Sequence, residues 1–175
     1  MADLLEELCS VAAGRLTAYG RALTGSHAAG EELAQEAVVR VFVRHVPFES
    51  LAACEAYVRT TMRRLHIDRI RHETVWRRVA AAQAVRGPVR DAADEVEAAD
   101  AAGRALDVLA PRVRTAVVLH YLDDLPVAQV ADTMHVSQGA VKRYLSDGRA
   151  ALAQSLDAAR ERLARRVAGR GPRPA

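Results

Sequence analysis

The sequence predicts an all-α protein of two small helical domains joined by a flexible linker. Three observations predict it. Of 175 residues, 50% are apolar but only 4% aromatic, so Ala, Val and Leu must build the core. Alanine-rich, glycine-poor stretches favour helix. Apolar residues recur at helical spacing, and no series of short alternating strands with turn signals is present.

A first helix is predicted from about Ala2 to Leu23, with Leu4, Leu8, Val11, Ala12, Leu16, Tyr19 and Leu23 as one apolar stripe. "TGSHAAG" breaks it. A second helix runs from about Glu31 to His45, its acids Glu31 and Glu32 in the first turn, where the helix dipole favours them. Ser50 is the predicted cap of a third helix that starts at Leu51 and passes Arg71. From about 76 to 103 large apolar residues thin out and Gly87-Pro88 interrupts, which reads as a linker. Regular structure resumes near Arg104, with Leu106, Leu109, Val113, Val117 and Tyr121 in a stripe and Pro111 at a helix start or kink.

The formal net charge of +3 hides strong segregation. Nine arginines lie between Arg59 and Arg90 against Asp68 and Glu73, and six between Arg160 and Arg173 against Glu161. Six acids lie between Asp91 and Asp107 against Arg104. Basic blocks favour a polyanion or an acidic protein surface. Cys9 and Cys54 form no CxxC pair, so a disulfide framework is not expected and a reducing, cytoplasmic location is. No membrane association is expected either, since no apolar run approaches the ~18 residues of a span. The six histidines show no metal-ligand spacing, and no phosphate-binding glycine loop is present, so no cofactor, no metal and no enzymatic activity are expected.

"VAQVADTMHVSQGAVKRYLSDGRAAL", Val127 to Leu152, carries the most chemistry. Val127, Val130, Ala131 and Met134 share one face of a short helix, with Pro126 at its first position. "HVS" is the turn and Ser137 the cap of a second helix, whose Val141, Tyr144, Leu145, Gly148 and Leu152 face inward. Gln138, Gly139, Lys142, Arg143, Ser146 and Arg149 are left outward. Lys142, Arg143 and Arg149 suit phosphates, while Gln138 and Arg143 near the helix N-terminus suit base edges in a major groove. On these residues alone, a packed helix pair without DNA contact is the alternative.

Read at length, this segment resembles region 4 of bacterial sigma factors, most closely the extracytoplasmic-function group. It departs from the family pattern at Ala140, Tyr144, Ser146 and Asp147-Gly148, and at Pro126, Ala128 and Gln129 in the preceding helix. Separately, "AGEELAQEAVVRVFVRH" and "FESLAACEAYVRTTMRRLHIDRIRH" resemble region 2 of the same family. The resemblance implies region 2 over 1–75 and region 4 over 104–160, joined by the linker read above over 76–103; the basic stretch 161–175, with Gly169, Gly171 and Pro172, reads from its composition as a disordered tail. It implies that Glu32, Gln35, Glu36 and Arg40 contact the clamp helices of the polymerase largest subunit. The loop Phe48–Cys54 would grip an extruded base of the −10 element, with Phe48, Tyr57, Arg59, Arg63 and Arg64 on the single-strand path. Ser137, Gln138, Gly139, Lys142, Arg143 and Arg149 would read the −35 duplex.

The implied partners are bacterial core RNA polymerase, through its beta and beta-prime subunits, and promoter DNA. An anti-sigma factor, which holds many family members, is a further expected class of partner. The acidic linker is either a plain solvated connector or a nucleic-acid mimic near the polymerase cleft. The rival function is a helix-turn-helix regulator that binds duplex DNA without polymerase. Such a protein would have no use for the two region 2 segments.

Overall fold

The computed structural model describes residues 2–80 and 105–168. Among these the chain is helical, with no strand. The first helical rod is not one uniform helix. It comprises α1 (Ala2–Glu7), a π-helical turn at Leu8–Ala12 and α2 (Ala13–Thr24). A π turn inserts an extra residue and rotates the side chains beyond it about the helix axis. Leu8 and Ala12 are consequently buried while Val11, expected on the apolar stripe, is 53% exposed.

Gly25 ends α2 in the left-handed region, φ +79°, its N–H donating to the Arg21 carbonyl at 2.7 Å. Ser26 caps the next helix at once, its Oγ accepting from the Ala29 N–H at 3.4 Å. So α3 spans His27–Val43 and starts four residues before the predicted Glu31. Glu31 and Glu32 therefore lie beyond its first turn, and the dipole argument for them does not apply. Helices α2 and α3 cross where Gly20 meets Gly30. A Cβ added to Gly20 would lie 2.3 Å from the Gly30 carbonyl oxygen, so only glycine permits this approach.

The cap expected at Ser50 forms, with Oγ accepting from the Ala53 N–H at 3.2 Å. It opens α4 (Leu51–Ala80), a 30-residue helix. Beyond residues 81–104, a turn at Leu106–Leu109 leads to α5 (Pro111–Tyr121), with Pro111 as its first residue. Then come α6 (Val127–Met134) and α7 (Gln138–Ala168). Pro126 proves to be the cap of α6, with extended ψ 153°, rather than its first helical residue. Helix α7 carries on through Ala168, into the stretch expected to be a disordered tail from 161. The linker expected at 76–103 lies outside the described residues from 81 onward.

Two apolar clusters hold these helices. The first gathers Leu8, Leu16, Leu23, Leu33, Val41, Val58 and Met62. The second gathers Leu109, Val117, Leu119, Val130, Val141 and Leu145. They exchange residues across the seam: Val118 of α5 sits in the first cluster, and Ile67 of α4 in the second. Polar contacts reinforce the seam. The Arg114 guanidinium donates to the carbonyls of Thr24 at 2.9 Å, Leu106 at 3.0 Å, Leu109 at 3.1 Å and Asp107 at 3.3 Å. Four neutral acceptors satisfy it, and burial holds its pKa below the usual arginine value. His66 of α4 bonds the Thr115 hydroxyl of α5 through Nε2 at 3.0 Å. Burial first, then the charges of Arg114 and Arg69, push His66 down to a pKa of about 4, so it is neutral near pH 7. None of the described helices is long and apolar enough to cross a membrane.

Candidate polymerase and DNA interfaces

Helix α3 buries Leu33, Ala34, Ala37 and Val41 against the first core, which turns Glu32, Gln35, Glu36, Val39, Arg40 and Val43 outward. These six are spaced i, i+3, i+4, i+7, i+8 and i+11, one continuous stripe. Glu36 accepts from Arg40 at 2.7 Å and also pairs with Arg69 of α4, which in turn reaches Glu32 at 3.7 Å. Gln35 donates to Glu31 at 3.3 Å. Arg69 thus fixes the acidic half of the stripe, a role the sequence did not signal because Arg69 is one arginine among many on α4. The other half is apolar, with Val39 60% and Val43 69% exposed, and neither valine stands out in the sequence as a candidate.

The five candidates for −10 DNA divide between two faces. Phe48 packs partly into the core and tilts against Tyr57, ring centroids 5.5 Å apart. Tyr57 and Arg64 line a recess of about 190 Å³ with Arg40, Arg44, Thr61 and Asp68, floored by Val41 and Leu65. An apolar floor with an aromatic wall and a cationic rim suits an unstacked base beside its phosphates. Arg40, a member of the α3 stripe, therefore borders both surfaces, and Arg44 joins it unpredicted.

Arg59 and Arg63 turn the other way. The Arg59 guanidinium lies 4.7 Å from the centre of the Tyr19 ring, a cation–π contact. Arg63 donates to Thr60 Oγ1 at 2.9 Å and to the Asp123 carboxylate at 3.2 Å. Tyr19 donates to the same carboxylate at 2.7 Å. Burial, then the charge and hydrogen bond of Asp123, raise the Tyr19 pKa, so its hydroxyl remains a donor. Asp123 lies just past the end of α5, on the other side of the seam.

In the helix pair, His135 takes the left-handed conformation that closes α6, φ 53°. Ser137 Oγ accepts from the Ala140 N–H at 3.2 Å, capping α7 as its position foretold. Val130, Ala131, Met134, Val141 and Leu145 bury the inner faces. Gly148 is buried as well, where a Cβ would meet the Val117 Cγ2 at 2.7 Å. Ser137, Gln138, Gly139, Lys142, Arg143 and Arg149 are all exposed and together form one surface. Arg143 lies 3.9 Å from Asp147, and Arg149 donates to the Tyr121 hydroxyl at 3.2 Å. Tyr121, expected in the apolar stripe of α5, is 48% exposed and braces Arg149 instead.

Residues 11–75 match the family model of Sigma-70 region 2, and residues 99–152 match that of Sigma-70, region 4. The fold is similar to that of the sigma factor RpoE from Bartonella quintana, whose structure was solved in complex with the anti-sigma factor NepR. The TM-score is 0.54 at 19% identity, covering 90% of this chain and 98% of that one. No curated protein matches the chain. Two regions of one family thus match in family order and together span more than half of the residues, and the same chain carries an exposed helix-turn-helix face and the α3 stripe. The chain belongs to the sigma-70 family of bacterial RNA polymerase sigma factors, with region 2 followed by region 4.

Proposed function

We propose that this sigma factor divides its work among three surfaces. The exposed stripe Glu32, Gln35, Glu36, Arg40, extended by Val39 and Val43, docks on the polymerase clamp. Ser137, Gln138, Gly139, Lys142, Arg143 and Arg149 on α7 read the −35 duplex. The helix N-terminus and the arginines hold phosphates, while Gln138 and Arg143 face base edges. Phe48, Tyr57, Arg59, Arg63 and Arg64 handle the −10 strand. The recess beside Tyr57 and Arg64 takes an unstacked base, and the other arginines take its backbone. Unstacking costs a few kcal/mol per base, which capture in a recess offsets.

On this reading region 2 extends over 1–75 and region 4 over 104–160, and the matched stretches 11–75 and 99–152 support the division. Polymerase supplies the chemistry, so the chain itself has no catalytic residues and acts in the cytoplasm. The complex of RpoE with NepR supports an anti-sigma factor as a further partner of this chain. The single observation that carries the reading is the α3 stripe, which an independent duplex-binding regulator would not need.

The test is run-off transcription on genomic promoter fragments with core polymerase at stated salt. Discrete new transcripts, lost with Arg64→Ala and with Lys142→Ala/Arg143→Ala, are the expected result. Duplex binding with neither transcripts nor core binding would refute the assignment of the α3 stripe.

A further inference from the structure

Arg149 is held without being neutralised. Other exposed arginines lie beside carboxylates: Arg15 by Glu55, Arg40 by Glu36, Arg143 by Asp147 and Arg165 by Glu161. Arg149 has no carboxylate partner among the described residues. Its Nη1 donates instead to the Tyr121 hydroxyl at 3.2 Å, 28 residues away in sequence. A phenol oxygen orders a guanidinium and leaves its positive charge for another partner. The tyrosine is fixed at its other end. Its ring meets the His120 ring edge-on, centroids 4.8 Å apart, and His120 Nδ1 bonds the Leu125 carbonyl at 2.7 Å. Leu125 precedes Pro126, the cap of α6, so the hydroxyl is referenced to both helices of the helix-turn-helix.

The placement singles out phosphate. Arg149 lies about two turns beyond Lys142, so both keep to one outward line of α7. From Gln138 to Arg149 the helix rises about 16 Å, at ~1.5 Å per residue. The major groove is only ~8.5 Å deep. With the N-terminus of α7 at the base edges, Arg149 stands level with the phosphate wall. The chemistry agrees. With Nη1 on the phenol oxygen, the phenol O–H is left to donate, and so are the remaining guanidinium N–H groups. An anion beside the pair takes a charge-assisted bond from one and an O–H bond from the other.

We propose that Tyr121 and Arg149 form a phosphate clamp at the edge of the −35 face, which makes Tyr121 a DNA contact supplied by α5 from outside the helix-turn-helix. Arg149 supplies the charge. Tyr121 aims the guanidinium and donates its own hydroxyl proton to the same phosphate. The clamp rests on the assignment of the α7 face to duplex DNA. Phosphate contacts set register and orientation rather than sequence. The clamp therefore fixes where Gln138 and Arg143 meet the bases.

The experiment uses the full chain and a fluorescein-labelled duplex of mixed sequence, roughly 30 base pairs or three helical turns long. Phosphate contacts are sequence-independent, so this probe reads the clamp directly. Anisotropy across a salt series gives affinity and salt slope. Tyr121→Phe removes only the hydroxyl and should weaken binding about fivefold, the worth of one hydrogen bond. Its salt slope should stay unchanged, because a hydroxyl displaces no counterion and the arginine remains. Arg149→Ala should lower the slope by about 0.9, the value for one phosphate-bound cation. In the Arg149→Ala chain, adding Tyr121→Phe should weaken binding by less than about twofold more, because the two side chains act as a unit. Both side chains are exposed, and far-ultraviolet circular dichroism verifies that the variants fold.

Duplex binding that needs Lys142 and Arg143 but ignores Tyr121→Phe would overturn the clamp and leave the reading of α7 intact. Equal losses from Tyr121→Phe with and without Arg149 would overturn the pairing of the two. An unaltered slope in Arg149→Ala would remove the phosphate from the site and overturn the clamp as well. Binding indifferent to Lys142→Ala/Arg143→Ala would overturn the assignment of α7 to DNA and the clamp with it, so the failure of that reading and the failure of the clamp alone give different results.

Discussion

Substituting alanine for Gly20 and for Gly14 should change stability in opposite directions, although both glycines lie in α2. Alanine gains about 1 kcal/mol over glycine in a helix, chiefly because glycine loses more backbone freedom. At Gly14 nothing lies within 4 Å of the added Cβ, so that gain is realised in full. At Gly20 the Cβ lands 2.3 Å from the Gly30 carbonyl oxygen and 2.8 Å from its carbon. Ordinary contact begins near 3.4 Å, so α2 and α3 must move apart by roughly 1 Å. Both partners are helix backbone and cannot rotate away. Overpacking typically costs ~1–3 kcal/mol, and a backbone-against-backbone clash belongs at or above the upper end of that range. Net of the helix gain, Gly20→Ala should destabilise by about 2 kcal/mol. Urea unfolding tracked by far-ultraviolet circular dichroism measures both variants, with the midpoint falling for Gly20→Ala and rising for Gly14→Ala at constant slope. A Gly20→Ala midpoint at or above that of the unsubstituted protein would refute the claim that α3, and the stripe on it, is placed by backbone contact.

Other expectations attach to single sites. His66 has a folded pKa of about 4 against an ordinary 6.5, so between those values the unfolded chain binds a proton that the folded chain refuses. Stability from this group is full above pH 6.5 and lost as pH falls toward 4, by up to about 3 kcal/mol at ~1.4 kcal/mol per unit. His66→Gln should flatten that part of a urea-midpoint series between about pH 7 and pH 4.5, and an unaltered series would contradict it. Val39→Asp/Val43→Asp should weaken core polymerase binding at least tenfold, measured by competition with a labelled sigma factor, while leaving the circular dichroism melt unchanged. Arg143→Ala should lower the salt slope of duplex binding by about 0.9 if that arginine takes a phosphate. Cys54 is fully buried, which raises its thiol pKa, whereas Cys9 is exposed; a thiol reagent should label the native protein rapidly at Cys9 alone.

Much of the architecture was legible because it is local. Helical spacing located most of the buried faces, and Ser50 and Ser137 cap where their positions and chemistry said they would. The outward set on α7 emerged by subtracting the inward residues from a single helix. What the sequence concealed is mostly non-local. Nothing in "AYGRALTGSHAAG" says that Gly20 and Gly30 touch, because each glycine is explained only by the other. The π turn at Leu8–Ala12 shifted Val11 without any proline or glycine to mark it. Arg114 looked like any arginine on a basic chain, yet four carbonyls converge on it, one of them from region 2. The site candidates show the same division. The −35 set comes from one continuous helix face and proved to be one surface. The −10 set was read as one path, but the roughly 100° turn per residue of α4 sends Arg63 and Arg64 to different faces.

The seam between the regions sets what polymerase must do to this chain. Separating it exposes Ile67 and Val118, which are 6% and 0% exposed, at roughly 1.5–3 kcal/mol per buried aliphatic side chain. It also leaves Arg114 without the Thr24 carbonyl and His66 without Thr115, at about 1 kcal/mol per hydrogen bond. These costs make the opened state rare in isolation. A ligand shifts such an equilibrium only by its differential affinity for the two states. Contact with the α3 stripe alone cannot open the chain, because that stripe is equally exposed whether the regions touch or not. The opening force must come from polymerase surfaces that bind only what the seam hides, or that hold region 4 at a distance from region 2. On the proposed division of surfaces, polymerase contact with the region 4 side is as necessary to melting as the proposed contact with α3. An isolated clamp fragment should bind the chain without changing its radius of gyration, whereas the complete core enzyme should separate the two regions.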